Sequence, residues 1–314
     1  MDARILITGA GGFVGPWLLR QLKKGPLAEA AVLCWSKKAV SELTEVVDVQ
    51  NRSDVERSVR NFRPTHVAHL AAQSHVPTSF ADPEHTWRVN VMGTLHLFEA
   101  IRRYAPDARI LFVGSSEVYG RSFQQRLPVA EDALLAPMNP YAASKAAADL
   151  MAGQYAVSGL KITRVRPFNH IGPGQSEDFV ASAFAAQIAR IEAGLQPPIL
   201  RVGNLNAQRD FLDVMDVVRG YALILEGGAP IPVGTVLNVC SGSTRTIQSL
   251  LEQLLSLASV QISVELDPGR MRPTEIPVAA GSSALATHLL GWTPRIPFEQ
   301  TLLGVLDYWR GKIG

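Results

Sequence analysis

Ile5-Leu6-Ile7-Thr8 runs straight into Gly9-Ala10-Gly11-Gly12-Phe13-Val14-Gly15, and an amphipathic segment continues through Leu22. A short apolar run, a glycine-rich turn and a helix start in that order specify the opening unit of a parallel α/β sheet. Glycines at 9, 12 and 15 leave backbone N–H groups and a helix N-terminus open to a pyrophosphate, because glycine has no side chain to block the approach and tolerates positive φ. Such turns are common, so the motif gains weight only from the rest of the chain. Further apolar strand-like runs recur at 31–35, 46–49, 66–72, 109–113 and 161–165, and helical periodicity fills 82–104 and the stretch after Pro140. This alternation predicts an α/β chain built on a Rossmann-type doubly wound parallel sheet.

Composition narrows the function. In 314 residues, a hydrophobic content of 47% can fill one large domain or two interlocked ones. The net charge of +2, with adjacent basic pairs only at Lys23-Lys24, Lys37-Lys38 and Arg102-Arg103, gives no basic footprint for nucleic acid or a membrane surface. Cys34 and Cys240 lie in apolar segments far apart and read as reduced core residues, so neither a disulfide nor a metal site is expected. With no signal peptide and no bilayer-length apolar run, a cytoplasmic protein is expected. There is no internal repeat or low-complexity tract.

The second strand-like run ends in Ser36-Lys37-Lys38, where an NAD-selective site would place a carboxylate on the adenosine ribose. A hydroxyl followed by two cations suits a 2′-phosphate, favouring NADP(H), with NAD(H) possible; exposed lysines at a strand end can equally be solvated.

Asn139-Pro140-Tyr141-Ala142-Ala143-Ser144-Lys145 carries the chemistry. On a helix, the four-residue spacing puts the Tyr phenol and the Lys ammonium one turn apart on one face. A neighbouring cation should favour the phenolate and lower the Tyr pKa from its usual ~10. Upstream, the 109–113 run ends in Gly114-Ser115-Ser116-Glu117, beyond the carboxyl end of a strand where α/β sheets bind ligands. A cap or turn role for the two serines is the alternative on that segment alone.

Together, the glycine turn, Ser115, Tyr141 and Lys145 resemble the extended short-chain dehydrogenase/reductase superfamily across essentially the whole chain. Within it, Asn169-His170-Ile171-Gly172-Pro173-Gly174-Gln175 is similar to the GDP-4-keto-6-deoxymannose reductases, whereas Ala72-Gln73-Ser74-His75-Val76 looks like the GDP-mannose 4,6-dehydratases. The resemblance implies catalytic roles for Ser115, Glu117, Tyr141 and Lys145. It places the cofactor against Gly9, Gly12, Phe13, Val14 and Gly15, then Ser36, Lys37, Asp48 and Val49, and then Leu70, Ala71, Ala72 and Asn90, with Tyr141 and Lys145 at the reactive end; Asn90 also matches an Asn that props the active site. Asp48 could instead be a turn carboxylate. Substrate would meet Ser74, His75, Glu117, Asn169, Val180, Arg209, Arg272 and Glu275, the two arginines on the nucleotide diphosphate; His75 could be structural, and Arg209 beside Asp210 could be a salt bridge.

The activity implied is reduction of the C4 ketone of GDP-4-keto-6-deoxy-D-mannose to GDP-D-rhamnose, with a dehydratase, or a non-catalytic NADP-binding sensor or scaffold, as alternatives. Expected domains are a cofactor lobe at 1–170 plus about 210–242, and a smaller interleaved α/β substrate lobe at about 171–209 and 243–314. The superfamily's pairing through two long helices, here about 82–104 and 140–157, implies a homodimer.

Overall fold

The computed structural model describes residues 2–38, 42–125, 127–270 and 276–314. The chain opens with β1 (Arg4–Thr8), α1 (Val14–Leu22), β2 (Ala31–Ser36), β3 (Thr44–Val46), α2 (Arg52–Phe62) and β4 (His66–His69). There follow α3 (Val76–Ala81), α4 (Pro83–Trp87), a π-helical turn (Arg88–Met92), α5 (Gly93–Tyr104), β5 (Arg109–Val113), a 3-10 segment (Ser116–Gln124), α6 (Pro140–Val157) and β6 (Lys161–Pro167). Then come β7 (Asn169–Ile171), α7 (Val180–Glu192), β8 (Ile199–Val202), β9 (Gln208–Asp213), α8 (Val214–Glu226) and β10 (Val236–Val239). The chain finishes with β11 (Thr244–Thr246), α9 (Ile247–Ser256), β12 (Ser263–Leu266), β13 (Val278–Ala279), α10 (Ala284–Leu290) and α11 (Phe298–Ile313).

Seven strands form a parallel sheet in the order β10-β6-β5-β4-β1-β2-β3. The chain winds outward from β1 to β3, then returns to β4 on the other side of β1, so the strand order reverses between β1 and β4. A crevice opens beyond the carboxyl ends of the strands at such a switch point. Side chains alternate across β1: Leu6 joins Trp35, Val55, Phe98 and Phe112 on one face, while Ile5 and Ile7 join Leu18, Val217 and Trp292 on the other. Burial on both faces is why these strands read as unbroken apolar runs.

The smaller lobe centres on β9, which pairs antiparallel with β11 and parallel with β13 and β7, beside a two-stranded β8–β12 ribbon. On β9, Phe211 points into the small-lobe core with Phe184, Leu250 and Leu302, and Leu212 into the core of the large sheet. One strand thus serves both cores and interleaves the lobes. α10 and Trp292 lie in the core of the large sheet, with the Trp292 indole donating to Asp216 O at 2.9 Å, although they fall within the 243–314 stretch expected for the substrate lobe.

Two local expectations are refined. Residues 83–104 are helical without a break, as expected, but not regularly so: Asp82 caps the start by accepting from His85 N at 2.8 Å, Pro83 fixes the first turn, and a π-helical turn lies inside the helix before α5. The strand expected at 46–49 ends at Val46, and Asp48 folds a turn by accepting from Gln50 N at 3.0 Å.

Candidate active site

The glycine turn is held from below by a buried polar chain. Thr94 Oγ1 donates to Asn90 O at 2.7 Å, so it accepts from His69 Nε2 at 2.9 Å; His69 Nδ1 then accepts from Thr8 Oγ1 at 2.7 Å, and Thr8 accepts from Ala71 N at 3.2 Å. Burial pushes the His69 pKa down to about 3, with Lys145 adding to the effect, so the imidazole is neutral and one tautomer is fixed. Above this chain Gly9 has φ +69°, and a Cβ there would stand 2.7 Å from the Ala71 backbone. Helix α1 begins with no side-chain cap, which leaves its first N–H groups free to receive an anion. Those features fit a dinucleotide pyrophosphate.

A cleft of about 580 Å³ extends from this turn in both directions. At one end it is bordered by Ser36, Lys37, Asp48 and Val49, with Asp48 exposed. The middle is bordered by Gly9, Gly12, Phe13, Val14, Gly15, Leu70, Ala71 and Ala72. At the other end stand Ser74, Ser115, Glu117, Tyr141, Lys145 and Asn169.

Local capping places the reactive groups. Asn139 caps α6 by accepting from Ala142 N at 2.7 Å, and Pro140 sets the first turn, so Tyr141 and Lys145 sit one turn apart at the helix start. Ser115 begins the 3-10 segment by accepting from Glu117 N at 3.2 Å, and its side chain hydrogen-bonds Tyr141. Glu117 is steadied by Asn139 Nδ2 at 3.4 Å.

The expected depression of the Tyr141 pKa by Lys145 does not occur. Burial pushes the phenol up to about 12, with the Ser115 hydrogen bond opposing and the Glu117 charge adding. The Lys145 ammonium instead donates to Val113 O at 2.6 Å, and burial brings its own pKa down to about 8 against the pull of Asp149. Desolvation is the largest influence on the phenol, so Tyr141 is protonated at neutral pH.

Asp149, two turns beyond Tyr141, is fully buried and accepts from Arg166 Nε and Nη2, both at 3.0 Å, and from Arg164 Nη1 at 2.9 Å. That fork ties α6 to β6. Asn90, expected against the cofactor, is 2% exposed and does not border the cleft. It accepts from Gln73 N at 2.8 Å and donates to Gln73 O at 3.0 Å and Ser144 Oγ at 2.9 Å, while Ser144 donates to Tyr141 O at 2.7 Å. It ties the loop after β4 to α6, which fits the propping position expected of it.

Three expected substrate contacts stand outside the cleft wall. His75 hydrogen-bonds Thr78 at 2.9 Å, Val180 packs into the small-lobe core beside the cleft-lining Phe179, and Arg209 donates to Gln208 O at 2.8 Å. Arg209 nevertheless lies within electrostatic reach of Glu117. Arg272 and Glu275 lie outside the described residues. Conversely, His170, Gln175 and Tyr221 border the cleft without having been singled out as site residues. His170 stacks on Phe13 with centroids 6.0 Å apart and hydrogen-bonds Phe168 O at 3.0 Å, and Gln175 Nε2 donates to His170 O at 2.9 Å. The motif at 169–175 was the available signal for the first two. Tyr221 comes from α8, and nothing local to its sequence marks it.

A family model described as GDP-mannose 4,6 dehydratase matches residues 6–303. The chain belongs to this family. Within the family, the chain is 37% identical over 314 residues to the GDP-6-deoxy-D-mannose reductase of Pseudomonas aeruginosa, covering all of this chain and 99% of that one. It is 32% identical to GDP-mannose 4,6 dehydratase 1 of Arabidopsis thaliana, over 83% of this chain and 72% of that one. Among solved structures, RMD from Pseudomonas aeruginosa complexed with NADPH superposes with a TM-score of 0.87 at 35% identity, over 99% of this chain and 100% of that chain. The UDP-glucose 4-epimerase of Thermus thermophilus, complexed with NAD, superposes with a TM-score of 0.84 at 29% identity, over 98% and 99%. The fold is that of the short-chain dehydrogenase/reductases, and the chain is an NAD(P)-dependent enzyme of that type.

Proposed function

We propose that the protein reduces the C4 ketone of GDP-4-keto-6-deoxy-D-mannose with NADPH, giving GDP-D-rhamnose. The observation that carries this reading is the meeting of Ser115, Tyr141 and Lys145 in one cleft with the glycine turn, in a chain similar along its full length to a GDP-6-deoxy-D-mannose reductase. NADPH, when bound, supplies the hydride. The Ser115 hydroxyl donates to the ketone oxygen, so that negative charge develops against a donor already in place. Tyr141, held protonated by burial, delivers the proton to that oxygen. Lys145, fixed by Val113 O, directs its remaining N–H groups at the ribose hydroxyls beside Tyr141. Ser36 and Lys37 receive the 2′-phosphate, and Arg209 receives the substrate diphosphate, holding the hexose by its remote end.

Glu117 favours one competing reading, because a dehydratase needs an acidic group beside the hexose and Glu117 is close enough to Tyr141 to raise its pKa. The deciding experiment follows the absorbance of reduced nicotinamide while pure protein meets GDP-4-keto-6-deoxymannose, beside GDP-mannose without added reductant. Oxidation in the first reaction alone is the expected result. Conversion of GDP-mannose without net cofactor consumption would replace the reductase by a dehydratase.

The same reading includes a homodimer. Phe80, Trp87, Met92, Leu150 and Val157 are 63, 42, 42, 63 and 91% exposed, on the helical side built by α3, α4, the π-helical turn and α6. Leu150 and Val157 are seven residues apart on one face of α6. A second copy would cover this patch. A cytoplasmic setting accords with a substrate and cofactor that are soluble metabolites; no described helix is long and apolar enough to cross a membrane.

A further inference from the structure

We infer that Arg245 is a further guanidinium for the substrate's diphosphate, acting across the strand pair from Arg209. The inference rests on the proposed nucleotide-sugar reading and adds a residue to it. Arg245 on β11 stands directly opposite Arg209 on β9 in an antiparallel ladder. Facing residues in such a pair put their side chains on the same side, about 5 Å apart at Cβ. Both are half-buried, and neither has a carboxylate within ion-pairing distance among the described residues.

Arg209 uses its guanidinium on two backbone carbonyls, Gln208 O at 2.8 Å and Pro277 O at 3.5 Å. Arg245 lies over the Phe298 ring at 4.5 Å, and Phe298 is 6.0 Å from Phe211, the residue two beyond Arg209 on the same face. An aromatic floor therefore holds the Arg245 plane beside Arg209. Like charges placed opposite each other destabilise a strand pair, and partial burial reduces the screening that would relieve them. An anion with more than one charged centre removes that penalty by engaging both groups, and a diphosphate supplies two adjacent ones. Neither arginine lines the cleft wall, but Arg209 lies within electrostatic reach of Glu117, which does.

The test is titration of the full-length protein with GDP, GMP and NADPH, comparing wild type with Arg245→Gln, Arg245→Lys and Arg209→Gln. In Arg245→Gln the Kd for GDP should rise roughly tenfold, as for loss of one charge-assisted contact, and GMP should weaken less. NADPH binding should be unchanged, the unliganded Tm should hold or rise, and the GDP-induced rise in Tm should shrink. KM for the keto sugar should climb with kcat retained, and Arg245→Lys should recover part of the loss. Unchanged GDP binding in Arg245→Gln, with loss in Arg209→Gln, would overturn the inference and leave the nucleotide-sugar reading standing. No loss in either variant would overturn both. A lowered Tm with equal losses for GDP and NADPH would make Arg245 a structural residue and reject the proposal.

Discussion

At the scale of residues, the site is governed by desolvation. Tyr141 is 8% exposed, and burial pushes its pKa up to about 12, so the phenol stays protonated through neutral and alkaline pH. Tyr141→Phe removes the donated proton while keeping the ring, and kcat should fall by about 10²–10⁴ with NADPH affinity unchanged in a fluorescence titration. Lys145 has its pKa lowered from 10.5 to about 8. Between those values the unfolded chain binds the proton and the folded chain does not, so this group's contribution to stability rises with pH across that window. Lys145→Met should therefore be stabilised relative to wild type at pH 7, and the Tm difference should shrink between pH 8 and 10.5. At the far end of the cleft, Lys37→Ala should weaken NADPH far more than NADH in paired Kd measurements. Equal losses would remove the 2′-phosphate role.

Elements turn these residues into a constellation. Helix α6 presents Tyr141, Lys145 and Asp149 at intervals of four residues along one face. The first two border the cleft, and the third is the buried acceptor for Arg164 and Arg166 on β6. The position of the phenol against the sheet thus depends on an ion cluster two turns away. Asp149→Ala strands two largely buried guanidinium groups, and should cost about 3–5 kcal/mol in urea unfolding. The π-helical turn before α5 has a comparable positioning role. It carries Asn90 between the loop after β4 and Ser144, on the helix that holds Tyr141.

At the scale of the molecule, the two lobes share β9, so their relative placement is fixed by one strand with a different core on each face. The exposed Phe80, Trp87, Met92, Leu150 and Val157 stand on the side away from α1 and α8. Sedimentation at micromolar concentration should show a dimer, and Leu150→Glu with Val157→Glu should shift it to a monomer of 34.0 kDa. A monomer already in the wild type would remove the homodimer from the proposed function.

Local order was sufficient for much of this. The β1–turn–α1 unit, the buried strands, helix α6 and the placement of Ser115, Glu117, Tyr141 and Lys145 at the cleft could all be read from the sequence. Each rests on spacing along one segment, or on a glycine needed where a Cβ would stand within 3 Å of the backbone that follows β4. What the sequence could not determine depends on segments that meet from far apart. Tyr221 reaches the cleft from α8, and Arg245 faces Arg209 through a strand pairing. The direction of the Tyr141 pKa shift was decided in the same way. Spacing put a cation one turn from the phenol, but the depth of the cleft and the Val113 carbonyl that accepts from Lys145 exist only after the chain has folded.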